Sequence, residues 1–326
     1  GDSGVLGSLA VAKRERDGYI EVQQTGVRGG DEDSISTQGK LIFPLGETAE
    51  LKLAADYSDM EGPSLVFTRD DLDGRAPSPF LPAPPEPRDL YEPTGNEADV
   101  FTDKEVWGIA ATLDWTIGDV EITSITSYRE LDWEATDDLD ASEQAVSFLR
   151  EFEESDQFSQ EVRLNWSTDT SNLLLGAFYG EENVERLDGL DFGPDGLELL
   201  VLPLDLVWDF NTELEATSVA LFGQYDWRFA DDWTATFGAR YTEDEKDFAY
   251  DVQTLNIFAF SYQTELSEDW DSFDPSFSIK WDVADNAMVY ASCSSGYKSG
   301  SFQFFPTSDA FARRVADPEE VESIEL

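Results

Sequence analysis

Histidine is absent from this chain of 326 residues, and with it the usual general base and the commonest zinc ligand. A single cysteine, Cys293, rules out an internal disulfide framework and a cysteine-based metal site. Basic residues are scarce, 21 Lys+Arg against 70 Asp+Glu, for a formal charge of -49. Nucleic acid is therefore excluded as a partner, because a polyanion needs a basic surface to release its counterions. Long hydrophobic runs are missing too. The longest apolar-rich stretch, Leu199 to Val207, is broken by Pro203 and Asp205, well short of the roughly 18 residues of a membrane helix. Acid/base chemistry by Asp and Glu stays open, but no spacing sets two carboxylates at a catalytic separation, so an enzyme is not expected. The chain begins at Gly1 without Met and stops inside an apparent strand at Leu326. An internal piece of a longer protein is the expectation, with any targeting segment elsewhere.

What is present is apolar and aromatic. Hydrophobic residues make up 40% and aromatics 13%, too much for a chain that cannot build a packed surface. They recur with a period of two. Trp233, Ala235, Phe237, Ala239 and Tyr241 alternate with Thr234, Thr236, Gly238, Arg240 and Thr242. Val219, Leu221, Gly223, Tyr225 and Trp227 do the same, as do Phe277, Ile279, Trp281 and Val283. Upstream, Trp107, Ile109, Ala111, Leu113 and Trp115 form another such row, and Val162, Leu164 and Trp166 a shorter one. Each segment reads as a strand with one apolar and one polar face.

Alternation alone fits a soluble sheet as well as a membrane barrel. Connections distinguish them. Tight turns are expected near Pro44–Gly46, Ile117–Asp119, Ser167–Ser171, Ala230–Asp232 and Ala284–Asn286. Long polar connections are expected over 59–104, 131–156, 184–215, 243–270 and 299–319. Short and long in alternation is the wiring of an outer-membrane barrel, with short periplasmic turns and long extracellular loops. The spacing predicts about eleven strands and the start of a twelfth: 4–14, 35–44, 48–58, 105–117, 119–130, 157–167, 172–183, 216–229, 232–246, 271–283, 287–298, and 320 onward. The fold class is thus all-β, an antiparallel transmembrane barrel present in part. The prolines between Pro77 and Pro87 mark an extended surface arm or a disordered segment.

Five of the nine tryptophans, Trp115, Trp166, Trp227, Trp233 and Trp281, lie within a few residues of a short turn. Indole favours the headgroup level, so these five are expected to form an interfacial girdle. The alternative, core tryptophans of a sandwich, gives no reason for gathering at one end of every hairpin.

Several motifs then carry a family resemblance. Val289-Tyr290-Ala291-Ser292 leading into Gly296-Tyr297-Lys298-Ser299-Gly300 resembles a barrel strand and the start of the loop after it in TonB-dependent receptors. Phe237-Gly238-Ala239-Arg240-Tyr241-Thr242, Ser159-Gln160-Glu161-Val162-Arg163-Leu164, Ile125-Thr126-Ser127-Tyr128-Arg129 and Asp17-Gly18-Tyr19-Ile20 resemble further barrel strands of that family. Pro318-Glu319-Glu320-Val321 resembles the start of the next. Cys293, Ser295 and Ser301 depart from the pattern. The resemblance implies that residues 1–326 are part of a barrel of about 22 strands, with a plug domain and the remaining strands outside this chain. It implies uptake of a scarce nutrient such as a ferric siderophore, energised by the TonB complex through a TonB box in the missing region. A passive outer-membrane porin is the alternative. The implied surroundings are the bacterial outer membrane, its lipid and its lipopolysaccharide.

No catalytic residues and no metal site are expected. Glu161, Arg163, Gln224, Arg240, Lys280 and Lys298 fall on the polar face and are the candidates for contact with the plug or a small nutrient ligand. The plainer reading is that they only keep a barrel interior wet. Asp70, Asp71, Asp73 and Gly74, and likewise Asp137, Asp138 and Asp140, resemble half of a calcium loop but lack its closing Glu. Loosely bound divalent cations on acidic loops are the most that follows, and no resident cofactor is expected.

Overall fold

The computed structural model describes residues 4–22, 26, 28–62, 100–139, 146–195, 207–255, 261–303, 306 and 308–326. Its strands are β1 (Leu6–Arg16), β2 (Ile20–Glu21), β3 (Arg28–Gly29), β4 (Glu32–Pro44), β5 (Ala49–Gly62), β6 (Phe101–Ile117) and β7 (Val120–Asp138). They continue as β8 (Ser147–Ser167), β9 (Ser171–Phe192), β10 (Val207–Ala230), β11 (Trp233–Leu255), β12 (Tyr262–Ala284), β13 (Ala287–Lys298) and β14 (Glu319–Glu325). One short helix, α1 (Asp309–Ala312), precedes β14. Twelve strands form a single antiparallel sheet in the order β1-β4-β5-β6-β7-β8-β9-β10-β11-β12-β13-β14, while β2 and β3 pair apart from it. Among the described residues no helix is long and apolar enough to cross a membrane; crossing strands are a separate matter.

Number and order of the long strands match the sequence expectation, as do the five tight turns. At the β6–β7 turn Gly118 has φ 62°, a left-handed conformation that glycine adopts without a Cβ clash. Strand length does not match. β8 to β12 run 21 to 24 residues, and the polar stretches expected as loops over 131–156, 184–215 and 243–270 are mostly strand. Asp17-Gly18-Tyr19-Ile20 is also corrected: it leads into the small β2–β3 pair and is not a barrel strand. The expected connection at 59–104 shrinks from both ends, since β5 reaches Gly62 and β6 starts at Phe101. Its proline-rich centre lies outside the described residues, as do Asp70, Asp71, Asp73 and Gly74.

Register explains the long strands. On one face, β11 carries Trp233, Ala235, Phe237, Ala239 and Tyr241, and then Glu243, Glu245 and Asp247. Its partner β12 carries Trp281, Ile279, Phe277, Pro275 and Phe273 in direct register, and then Asp271 and Asp269. Five alternate apolar positions span nine residues, about 30 Å of strand at roughly 3.4 Å per residue. Tilted at about 40°, that covers a band close to the 25 Å expected of an outer-membrane barrel. Above this belt the polarity inverts. The acids take the belt face, and the opposite face of β10 to β12 turns apolar with Phe210, Phe248, Tyr250, Val252, Tyr262 and Leu266. Buried Ala312 of α1 joins that cluster of buried residues. Pairing therefore continues unbroken through a change of solvent on each face.

Candidate functional site

All six candidates for plug or ligand contact lie on one face of the sheet, opposite the apolar belt, as the register requires. The structure gathers only some of them. Gln224, Arg240 and Lys298 line one cavity of about 580 Å³ across β10 to β13, together with Asp244 and Asp274. Glu161 and Arg163 form an ion pair with each other on β8. Lys280 sits near the β12–β13 turn and pairs with Asp282 at 3.0 Å. Gln224 donates to Asp226 at 3.2 Å, and the exposed Lys298 lies 3.8 Å from Glu319.

Arg240 is held differently. Its Nε donates to Thr242 Oγ1 at 3.0 Å, and its guanidinium lies 5.5 Å from the Phe222 ring centre and 5.8 Å from that of Phe178. Phe222 can reach this position because it lies across Gly176, where a Cβ would collide with the ring. A similar device operates higher on the same face. Arg129 spans Gly108 to reach both carboxylate oxygens of Asp56 at 3.0 Å, two strands away.

Above the belt, an arginine organises the polar face. Arg186 on β9 donates to Glu151 at 2.7 Å, Glu153 at 2.8 Å and Asp188 at 2.8 Å, and lies 5.3 Å from the Trp133 ring centre. Burial opposes its charge, but Asp188, Glu153 and Glu151 together more than offset that and hold its pKa above the ordinary arginine value. Glu151 is shifted upward, by burial first and by the nearby Asp188 and Asp137, against the pull of Arg186. Asp137 and Asp138 are buried at the end of β7, not presented on a cation-binding loop, and Asp140 lies outside the described residues. Hydrophobic alternation does not reveal this network, because it predicts loops over 131–156 and 184–215. The available signal was Arg186 itself, an isolated base in an acidic stretch.

The connection after β13 is likewise no free loop. Among its described residues it bridges Ser301 to Ala316 and hydrogen-bonds to the face of β11 and β12 that carries Lys246, Tyr250 and Tyr262. Tyr250 donates to the Gln303 carbonyl, Tyr262 to the Pro306 carbonyl and Thr264 to Asp309, while Lys246 Nζ donates to the Gly300 carbonyl at 3.0 Å. Burial pushes the Tyr262 phenol up to about 12 and raises that of Tyr250 as well.

The five tryptophans all stand on the belt face at the short-turn end, with Trp115, Trp166, Trp227 and Trp281 at least a third exposed. Trp233 and Trp281 stack at 5.2 Å between ring centres. A second aromatic row, which the sequence reading missed, marks the belt's other rim. There Tyr57 donates to Glu105 at 3.2 Å, Trp107 to Glu130 at 2.7 Å, Tyr128 to Glu130 at 2.6 Å and Tyr179 to Glu181 at 2.8 Å. Immediately above, Asp59, Glu105, Asp132, Glu154, Glu185 and Glu213 stand directly opposite one another along six consecutive strands. Carboxylate oxygens of Asp59, Glu61 and Asp103 come within 4.8 Å of one another. Arg150 is the single base on this acidic face of β5 to β12 among the described residues, and it reaches Asp191 at 2.6 Å and Asp209 at 3.0 Å.

The family model described as "TonB dependent receptor-like, beta-barrel" matches residues 50–326. No curated protein matches the chain. Among solved structures, the ferric yersiniabactin uptake receptor FyuA from Yersinia pestis superposes with a TM-score of 0.77 at 16% identity, over 99% of this chain and 46% of that one. The siderophore receptor PiuA from Acinetobacter baumannii gives 0.68 at 13% identity, over 99% and 50%. The open form of the ferric-catecholate import receptor Fiu from E. coli K12 gives 0.66 at 9%, over 91% and 50%. At these identities the likeness is one of fold. The chain spans about half the length of each of these receptors.

Proposed function

The chain belongs to the TonB-dependent receptor family, and from that premise we propose that it forms half the wall of an outer-membrane receptor importing a scarce nutrient, with a ferric siderophore the leading class. The observation that carries the reading is the polarity of the wall. An apolar belt of membrane height, rimmed by aromatics on both sides, covers one face of the sheet, and a polar face with a half-buried arginine at its cavity covers the other; in a closed barrel the first meets lipid and the second the lumen. The structural relatives named as siderophore or ferric-chelate receptors support the ligand class. A passive porin is not favoured by the family match.

In this reading the short turns face the periplasm and the acidic strand extensions stand outside the cell. Lipid covers the belt, lipopolysaccharide surrounds the acidic rows, and the TonB complex acts through a part of the receptor outside this chain. Divalent cations held loosely by the rows belong to the same proposal; like charges directly opposite on neighbouring strands repel unless screened. Lumen-facing Glu161, Arg163, Gln224, Arg240, Lys280 and Lys298 would contact the plug or the passing ligand. The test is uptake of radiolabelled iron, supplied as a panel of ferric siderophores, by iron-starved cells with and without the full-length receptor. Uptake that requires both the receptor and TonB is the expected result. Equal uptake of small neutral solutes with TonB deleted would point to a porin and sink the proposal.

A further inference from the structure

Most of the described arginines reach a carboxylate, and a guanidinium without one is the exception. Arg240 is one. Its only contacts among the described residues are the hydrogen bond from Nε to Thr242 and the rings of Phe178 and Phe222. Asp274 stands directly opposite it on β12, where a cross-strand ion pair would be the ordinary outcome. Instead Arg240 leans the other way, toward β9 and β10, and Asp274 accepts from Ser295 Oγ at 3.3 Å. The two rings fix the guanidinium and Thr242 takes Nε, which leaves both Nη groups without an acceptor among the described residues. Arg240 lines the cavity of about 580 Å³ that Lys298 also lines.

We propose that Arg240 is a carboxylate-binding position on the lumen wall, built to take one carboxylate through its Nη fork. A planar fork of two N–H donors matches the two oxygens of a carboxylate, a geometry that a lysine ammonium cannot reproduce. The rings supply cation–π support without neutralising the charge, so the arginine stays available for an anion. Asp244 and Asp274 on the same cavity set the limit. A second negative charge would meet their repulsion, so the site takes a monocarboxylate in preference to a sulfate or a polyanion. The carboxylate has two possible bearers. One is the imported nutrient. The other is a segment of the same receptor outside this chain, which covers about half the length of its structural relatives. The first bearer rests on the receptor reading above; the site itself rests on the geometry of Arg240.

The experiment uses the full-length receptor purified in detergent, with benzoate as the probe and sulfate at equal ionic strength as the control. Its structure is determined by cryo-electron microscopy, and thermal shifts are titrated for wild type, R240K and R240Q. If the receptor supplies the carboxylate, the map shows an Asp or Glu from outside residues 1–326 at hydrogen-bond distance from the Nη groups, and benzoate shifts nothing. If the nutrient supplies it, benzoate raises the melting temperature of the wild type and sulfate does not. In R240K, which keeps the charge and loses the fork, the benzoate affinity then falls about tenfold or more, the weight of a hydrogen bond to a charged group. R240K keeps the charge and is expected to fold, so a misfolded R240Q does not blunt the test. The proposal is overturned if the map shows no such carboxylate and the benzoate response is absent, or is the same in R240K as in wild type. Benzoate bound at Arg240 in a protein that imports nothing would keep this site while removing the receptor reading.

Discussion

The lower and upper halves of β10 to β12 are the same strands in the same register, yet they are built to opposite rules. Below Glu243 the outward residues are Phe237, Ala239 and Tyr241 and the inward ones Gly238, Arg240 and Thr242. Above it the outward residues are Glu245, Asp247 and Asp251, and the inward ones Phe248, Tyr250 and Val252 pack against Ala312 of α1. The backbone ladder is indifferent to this change because its hydrogen bonds are satisfied by neighbouring strands in both halves. Only side chains respond to the solvent. Hydrocarbon accepts apolar groups on the outside and leaves polar ones for the lumen; water reverses the demand. In the reading proposed above, a membrane boundary is written into a strand as a flip in the phase of its alternation.

The sharpest test of this division is the arginine on each side of it. Arg186 has a side chain 15% exposed and binds three carboxylates, so R186M leaves Glu151, Glu153 and Asp188 as an unpaired buried cluster. Removing one partner of a buried ion network destabilises by about 3–5 kcal/mol. Hydrogen exchange should show protection lost across 147–155 and 184–192, with the belt segments of β8 and β9 unchanged. Arg163, 46% exposed and paired among the described residues with Glu161 alone, should tolerate the same substitution with a loss below about 1 kcal/mol. Equal losses at the two sites would erase the distinction between halves.

Next in size is a charge placed on the outward face. Phe237→Arg puts a cation in the middle of the belt and should destabilise the full-length receptor by about 2–4 kcal/mol in a bilayer. Glu245→Arg, eight residues along the same face, should be neutral or mildly stabilising, since it breaks up an acidic neighbourhood. Unfolding by urea in lipid vesicles measures both. A substantial loss at Glu245, or none at Phe237, would move the boundary.

These contrasts also explain what the sequence reveals. Strand count, strand order and the five short turns are legible because Trp233 to Tyr241 and its counterparts alternate without a fault between tight turns. The upper ends are not legible from hydrophobic alternation alone, because the apolar residues change face between Tyr241 and Phe248. A reader tracking one phase sees the pattern stop at Thr242 and writes loop over 243–270. The six polar candidates are readable as a face, since every second residue must share it. Which of them meet is not readable: Arg240 and Lys298 share a cavity only through the register of β11 to β13, whereas Lys280 is spent on Asp282. Arg129 reaching Asp56 across Gly108 needs three strands in place before it can be seen at all.

A smaller effect separates the halves by pH. Burial raises the Glu151 carboxyl above its ordinary value of 4.5, with Arg186 pulling the other way and Asp188 and Asp137 adding to the rise. A carboxyl whose folded pKa is raised contributes stability that is present below the unfolded value and is lost as pH climbs through the folded one. E151Q removes that dependence. The stability of wild type relative to E151Q should therefore decline as pH rises from 4.5, in exchange-protection data for β8 and β9. A relative stability that grows with pH over that range would mean that the ion pair with Arg186 outweighs burial.

The smallest expected effect lies on the outward acidic face. Glu154 stands in the middle of the row of six carboxylates, directly opposite Asp132 on β7 and Glu185 on β9. Like charges facing each other across a strand pair are worth roughly 0.2–1 kcal/mol against folding. E154Q should accordingly stabilise the upper half by an amount in that range at low ionic strength. The gain should fade toward zero near 1 M salt, where the screening length of about 3 Å is shorter than the spacing between strands. Millimolar magnesium should erase it at far lower ionic strength if cations already bridge the row, because the repulsion that the substitution relieves would then be gone. Chelation followed by stepwise addition of magnesium or of sodium chloride at matched ionic strength separates bridging from simple screening. A gain that persists unchanged in high salt would show that the substitution acts through packing. Phe237→Arg in the belt should by contrast hold its penalty at every salt concentration, since hydrocarbon admits no counterions to the site.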